Sequence, residues 1–243
     1  MKSIVITLLP VRPLRLNYAH FKTLQGLAYR LMGYNEALAA EVHDRRYPDR
    51  KVYKFFCFTD LGGRYLNDKK NKKLIYSSSF TWELRSADDR IIDAAERYVL
   101  SHRTVEISGQ ACEIISYETQ QKHIRRDTLS VVMNTPVVVY HTEPSGFIRY
   151  YHPFEDAFYD AVIKNIGNKY ESFYEKPLPC DVMIQCTDPS DRDKCVTHYE
   201  ESVLTAWYGE YRITASPEAL DFIWHTGLGG KNSMGFGTII EKE

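Results

Sequence analysis

Gly227-Leu-Gly-Gly-Lys-Asn-Ser-Met-Gly-Phe-Gly237 decides how the chain is read. Five of the thirteen glycines fall in these eleven positions, around one lysine and two small polar residues. Glycine lacks Cβ, so such a loop can approach another surface closely, and a run of free N–H groups forms a concavity for an anion. The loop therefore reads as a phosphate cradle, with Lys231 as its mobile charge. It is neither of two familiar nucleotide loops. A P-loop requires Gly-Lys followed by Ser or Thr, whereas Gly230-Lys231 is followed by Asn232 and the position five before Gly230 is His225. A dinucleotide fingerprint follows a strand and opens a helix. Here the order is reversed, since a helical pattern at Pro217–His225 precedes the loop and the strand-like run Phe236–Ile240 follows it. The plainer reading of the same glycines is a flexible terminal hairpin.

Working outward, 243 residues suffice for one large or two small cores. The formal net charge of −1 gives no global attraction for a polyanion, so any nucleic-acid contact must rest on local patches. Five cysteines at irregular spacing argue against a disulfide framework. Cys180, Cys186, Cys195 and His198 suggest zinc, but an extended Cys180–Cys186 run holds its end sulfurs about 20 Å apart at ~3.3 Å per residue, too far for one ion. Ile4–Leu9 is too short for a signal segment, and no apolar run approaches a membrane span. A soluble, cytoplasmic protein with no membrane association is expected.

Along the chain, Ser3–Leu9 reads as a strand and Tyr18–Met32 as a helix with Phe21, Leu24, Leu27, Ala28, Leu31 and Met32 in one stripe. Tyr29 falls about 120° from the centre of that stripe and should point away from the core. A short helix over Asn35–Val42 and a strand over Val52–Phe58 follow. In that strand, alternation places Tyr53, Phe55 and Cys57 on one face and Val52, Lys54, Phe56 and Phe58 on the other. The basic run Lys69–Lys73 reads as a solvated hairpin tip. Leu74–Leu84 reads as one strand, Ser86–Leu100 as a helix capped by Ser86, and Thr104–Ile107 with Cys112–Glu118 as a hairpin. After the charged segment Gln120–Asp127 the grammar repeats: strand Leu129–Tyr140, a turn into Phe147–Tyr151, helix Pro153–Tyr170, strand Cys180–Thr187, polar loop Pro189–Lys194, long strand Val203–Thr214. The expectation is an α+β chain of two tandem ferredoxin-like (βαββαβ) units, over residues 1–124 and 128–243.

At this level Lys231-Asn-Ser-Met-Gly-Phe-Gly237 resembles the glycine-rich loop of the repeat-associated mysterious protein (RAMP) superfamily. It is most similar to the CRISPR-associated endoribonuclease family six, which matures guide RNA. Leu24-Gln-Gly-Leu-Ala-Tyr29 and Tyr53-Lys-Phe-Phe-Cys-Phe-Thr59 agree. The resemblance covers the first sixty and last twenty residues well, and the middle only in element order. It implies metal-independent cleavage of CRISPR repeat RNA (pre-crRNA) by 2′-OH attack, leaving a 2′,3′-cyclic phosphate and a 5′-OH, with no cofactor. By motif it places catalysis on Tyr29, His43 and Lys54. Histidine would shuttle the proton, lysine would stabilise the charge developing on phosphate, and tyrosine would position the histidine. His20 and His225 are rival histidines, and Tyr29 and Lys54 equally suit ordinary surface roles. RNA binding falls to Gly227, Gly229, Gly230, Lys231, Asn232, Ser233, Gly235 and Gly237, with Arg125, Arg126 and Arg149 as a local cationic path. Alternatives are a noncatalytic RNA-binding subunit alongside other Cas proteins in an interference complex, and, more remotely, a small-molecule sensor. The tyrosine-rich surface is compatible with a homodimer.

Overall fold

The computed structural model describes residues 1–44 and 53–242, the side chains of His43 and Asp44 excepted. The first half runs β1 (Lys2–Pro10), β2 (Leu14–Asn17), α1 (Phe21–Met32), α2 (Glu36–Asp44), β3 (Phe56–Phe58), β4 (Gly62–Gly63), β5 (Leu66–Asp68), β6 (Lys73–Tyr76), β7 (Phe80–Ser86), α3 (Asp89–Ser101), β8 (Thr104–Ile107) and β9 (Gln110–Gln120). Its main sheet has the order β3-β7-β1-β9-β8, with β4 also on β7, and every pairing is antiparallel. Strands β2, β6 and β5 form a separate small sheet.

The second half runs β10 (Thr128–Met133), β11 (Tyr140–Thr142), β12 (Ile148–Tyr150), α4 (Asp156–Tyr174), β13 (Met183–Cys186), β14 (Lys194–Tyr199), β15 (Ser202–Trp207), β16 (Glu210–Thr214), α5 (Pro217–Thr226) and β17 (Ile239–Glu241). Its sheet order is β13-β16-β10-β17. In each sheet the four principal strands, numbered in chain order, lie second-third-first-fourth, the ferredoxin-like arrangement. The fold is α+β with two such units in tandem. The hairpins β11–β12 and β14–β15 are additions to the second unit.

Amphipathic helices cover the sheets. The expected α1 stripe is buried as drawn, and α3 buries Ile91, Ile92, Ala94, Ala95 and Val99. Several boundaries move. Helix α3 is capped by Asp88, whose carboxylate accepts from Arg90 N–H, while Ser86 is the buried last residue of β7 and donates to the Phe55 carbonyl. The expected strand Leu74–Leu84 breaks at Ser77–Ser79 into β6 and β7, and Val203–Thr214 breaks at Tyr208-Gly209 into β15 and β16. Leu129–Tyr140 leaves the sheet after Met133, since Pro136 cannot donate to a ladder. Strand β14 begins where a polar loop is expected to end, because its side chains alternate exposed and half-buried and carry little apolar signal. Phe154 lies ahead of α4 and is exposed.

The two units meet along β3, β7, α5 and the glycine loop. Phe55 has φ +52° just before β3, and the side chains still fall on the two faces that alternation predicts. Phe55 enters a cluster with Tyr170 and Phe222, Phe56 and Phe58 enter the first core, and Cys57 lies beneath the Trp224 and His225 carbonyls. Buried Arg85 donates to Ile239 O at 2.7 Å and to Glu83 at 2.6 Å, with its guanidinium 4.0 Å from the centre of the Trp224 ring. No helix among the described residues is long and apolar enough to cross a membrane.

Candidate functional site

Helix α1 carries Gln25 and Tyr29 one turn apart, so both project from the same flank. Both are half-buried. The Tyr29 ring meets Phe56 edge-on with centroids 6.0 Å apart, so the phenol is propped against the first core and does not stand clear of it as its helical angle suggests. Lys54, just before β3, donates from Nζ to Tyr29 Oη at 2.6 Å, with the ammonium 5.2 Å from the ring centre. Burial pushes the Tyr29 hydroxyl up to about 12, so it stays protonated at neutral pH. Two of the three expected catalytic residues are therefore in contact. His43 lies in α2, and its side chain is outside the described residues.

Neither rival histidine suits proton transfer at an exposed phosphate. His20 is buried; Nε2 lies 2.6 Å from Asp60, and Nδ1 lies 3.1 Å from the carbonyls of Asn17 and Tyr18. Burial pulls its pKa down, but the Asp60 hydrogen bond and charge, with those carbonyls, leave it raised overall. With acceptors at both nitrogens the ring is a protonated clamp between the start of α1 and the loop after β3. His225, in α5, is fully buried with Nδ1 2.8 Å from the Asp221 carbonyl, and burial pushes it down to about 4.

The glycine loop differs from an open cradle. Gly227, Gly229, Gly235 and Gly237 are buried, as is Asn232; of the expected RNA-binding residues in the loop, Gly230, Lys231 and Ser233 reach solvent in part. The N–H groups of Gly227, Gly230, Gly235 and Gly237 already donate to Ile223, Val138, Asn232 and Pro136 carbonyls, so they are not available to an anion. Lack of Cβ serves packing instead. At Gly235, φ is +94° and a Cβ would lie 2.9 Å from the Phe58 ring; at Gly237, φ is +79° and a Cβ would overlap the Leu228 carbonyl oxygen. Phe236, between them, is fully buried, its ring 5.1 Å from that of Phe21 on α1. The loop is a wedge joining the two units, with its partly exposed turn at Lys231–Ser233.

Gln25, Tyr199 and Lys169, to which the sequence reading assigns no role, hold this wedge. Gln25 donates to Ser233 O at 2.8 Å and accepts from the Tyr199 hydroxyl on β14, tying α1, the loop and the β14–β15 hairpin together. Lys169 of α4, 3% exposed, donates to Gly227 O at 2.5 Å, Asn232 Oδ1 at 3.1 Å and Thr226 O at 3.4 Å. Asn232 in turn donates to the Leu228 and Phe236 carbonyls, closing the loop on itself. Burial pushes Lys169 down to about 7, its acceptors among the described residues being uncharged oxygens. A signal for Lys169 exists in the sequence: it extends the apolar spacing Phe158, Val162, Ile166 of α4.

The expected cationic path is not assembled round Lys231. The Lys231 ammonium lies 5.4 Å from the centre of the Tyr140 ring. Tyr140 pairs with Tyr150 across β11–β12, and Arg149 pairs with His141, so Arg149 projects from the opposite face of that hairpin, where it meets Glu155 at 2.7 Å. Arg126 is bound to Glu241 at the far end of β17, and Arg125 is exposed beside it.

Comparison with known proteins gives one consistent result. The family model described as "CRISPR associated protein Cas6, C-terminal" matches residues 118–240, half of the chain. A curated relative, the CRISPR-associated endoribonuclease Cas6 2 of Methanocaldococcus jannaschii, is 25% identical over 250 residues, covering 96% of this chain and 97% of the relative. Among solved structures, one titled "An RAMP protein binding different RNA substrates" superposes with TM-score 0.82 at 16% identity, covering all of both chains. The product of a Cas6-related gene from Pyrococcus furiosus superposes with TM-score 0.81 at 15% identity, covering 99% and 98%. The chain belongs to the Cas6 family of CRISPR-associated proteins.

Proposed function

From this family membership and the geometry of the site, we propose that the chain is an endoribonuclease that cuts CRISPR repeat RNA without a metal ion. The observation that carries the reading is the Lys54–Tyr29 pair, a cation and a phenol 2.6 Å apart at the junction of α1 and β3. In the proposed reaction the ribose 2′-oxygen bonds to the adjacent phosphorus as the bond to the 5′-oxygen breaks. The products are a 2′,3′-cyclic phosphate and a 5′-OH. His43 takes the 2′ proton and returns it to the leaving 5′-oxygen. Lys54 faces the non-bridging oxygens, where negative charge grows in the transition state. Tyr29, protonated at neutral pH, orients Lys54 and donates from its hydroxyl. Lys231 and Ser233, at the partly exposed turn of the wedge, hold the phosphate chain, while the buried glycines fix the position of that turn.

The substrate in this reading is pre-crRNA; association with other Cas proteins, or as a homodimer, lies beyond what this site needs. Repeat RNA incubated with the protein in EDTA should be cut at one position, and a 2′-deoxy nucleotide there should abolish the cut. Cleavage of the deoxy substrate would eliminate the mechanism. Repeat binding retained with cutting unchanged in His43→Ala would remove His43 from its role. Binding without any cutting by the wild type would favour a noncatalytic RNA-binding subunit.

A further inference from the structure

The small sheet β2-β6-β5 and its connections carry a charge distribution unlike the rest of the chain. Residues 11–18 and 62–76 contain seven lysines and arginines, Arg12, Arg15, Arg64, Lys69, Lys70, Lys72 and Lys73, against a single carboxylate, Asp68. The chain as a whole has net charge −1. All seven except Lys73 are exposed, and Lys73 is half-buried. Elsewhere basic side chains are commonly neutralised, as in Lys22–Glu200, Arg30–Glu106, Arg90–Glu41 and Lys176–Glu218. None of the seven forms an ion pair within 4.0 Å among the described residues. Asp68 is engaged instead by the β5–β6 turn, where its carboxylate accepts from the backbone and side chain of Asn71.

The surface beneath these charges is a paired sheet seated on the core. Leu14, Leu16 and Tyr76 are buried under the sheet, and β2 pairs with β6 from Leu14↔Tyr76 to Asn17↔Lys73. Exposed Tyr18 and Tyr65 lie among the cations; Tyr18 donates to Asn67 and Tyr65 packs on Tyr76, so both rings are held in place. Fixed aromatic faces interleaved with unpaired cations suit a single-stranded polyanion whose bases stack while its phosphates are neutralised. The position is also specific. Strand β2 leads directly into α1, and Phe21 to Tyr29 is about 12 Å along that helix.

We propose that the β2-β6-β5 sheet binds a single-stranded segment of the RNA substrate beyond the nucleotides being cut, and so supplies the electrostatic attraction that the neutral chain otherwise lacks. This inference rests on the RNA-cleaving reading given above. Its test uses repeat RNA with a 2′-deoxy nucleotide at the cut, so that bound RNA stays intact, and the variant Arg15→Gln/Lys69→Gln/Lys70→Gln/Lys72→Gln. Binding is measured by fluorescence anisotropy at several KCl concentrations. Each lost phosphate contact on a single strand should lower the slope of log K against log salt by about 0.7. The variant should therefore lose about 2 to 3 from that slope and bind at least tenfold more weakly at the lowest salt. Cleavage of a minimal RNA centred on the cut should stay within twofold of wild type, which also shows that the variant is folded. An unchanged affinity and slope in the variant, with wild type cutting normally, would overturn this inference alone. A wild type that neither binds nor cuts the repeat would instead overturn the reading beneath it.

Discussion

Lys169 offers the sharpest test of how the glycine wedge is held. Its ammonium is buried against three uncharged acceptors, and its pKa drops from 10.5 to about 7. The unfolded chain keeps a normal lysine, so between pH 7 and about 10 it binds a proton that the folded chain has largely released. Stability must then rise with pH over that window, and the contribution fades below pH 7, where both states are protonated. Integrated from pH 7 to 9, one group with this shift adds about 2 kcal/mol in favour of the folded state. Lys169→Met keeps the volume and removes the titration. It also strands the Gly227 carbonyl and Asn232 Oδ1, at roughly 1–3 kcal/mol each. Urea unfolding of both proteins at pH 7, 8 and 9, followed by tryptophan fluorescence, should therefore show the wild type gaining about 2 kcal/mol on the variant across the series. A difference that stays constant within about 0.5 kcal/mol would refute the assignment of Lys169 as a buried, weakly charged strut.

Further outcomes follow from other contacts. Gly235→Ala should destabilise by more than about 1 kcal/mol, because the residue sits at φ +94° and the methyl would meet the Phe58 ring; thermal unfolding measures this, and an unchanged Tm would contradict the wedge packing. The His20–Asp60 contribution, the folded histidine pKa being raised above 6.5, should be full below about pH 6 and be lost as pH rises through the folded value. The stability gap between wild type and His20→Gln should accordingly shrink from pH 5 to 9, and a flat gap would argue against a protonated clamp. Lys54→Ala should cost roughly 10²–10³ in cleavage rate, by analogy with removal of one transition-state donor. Tyr29→Phe should cost less. With Tyr29 near 12, the pH–rate profile should show no limb from it below about pH 10, and its appearance near neutrality would overturn the donor role.

Much of the fold is legible locally. The apolar stripes of α1 and α3 and the repeated βαββαβ order come from side-chain periodicity, which depends only on which positions share a face. Strand ends were less legible: the breaks at Ser77–Ser79 and Tyr208-Gly209 are short, and apolar runs of strand character stand on both sides of each. Strand β14 was invisible for the opposite reason, since as part of a half-exposed hairpin it needs few apolar residues.

For the site, the sequence by itself determined the residue types: a glycine-dense link before the last strand, a tyrosine on the first helix, and a lysine before β3. Tertiary structure alone decided what they do together. Loop N–H groups face either solvent or protein depending on what packs beside them, and here α1, β3 and Pro136–Val138 close over the glycines, turning an apparent anion cradle into a buried wedge. The Lys54–Tyr29 contact and the Gln25 and Lys169 struts join residues from 25 to 208 positions apart in sequence. No local pattern encodes such pairs, because they form only when two separate sheets are pressed along one seam.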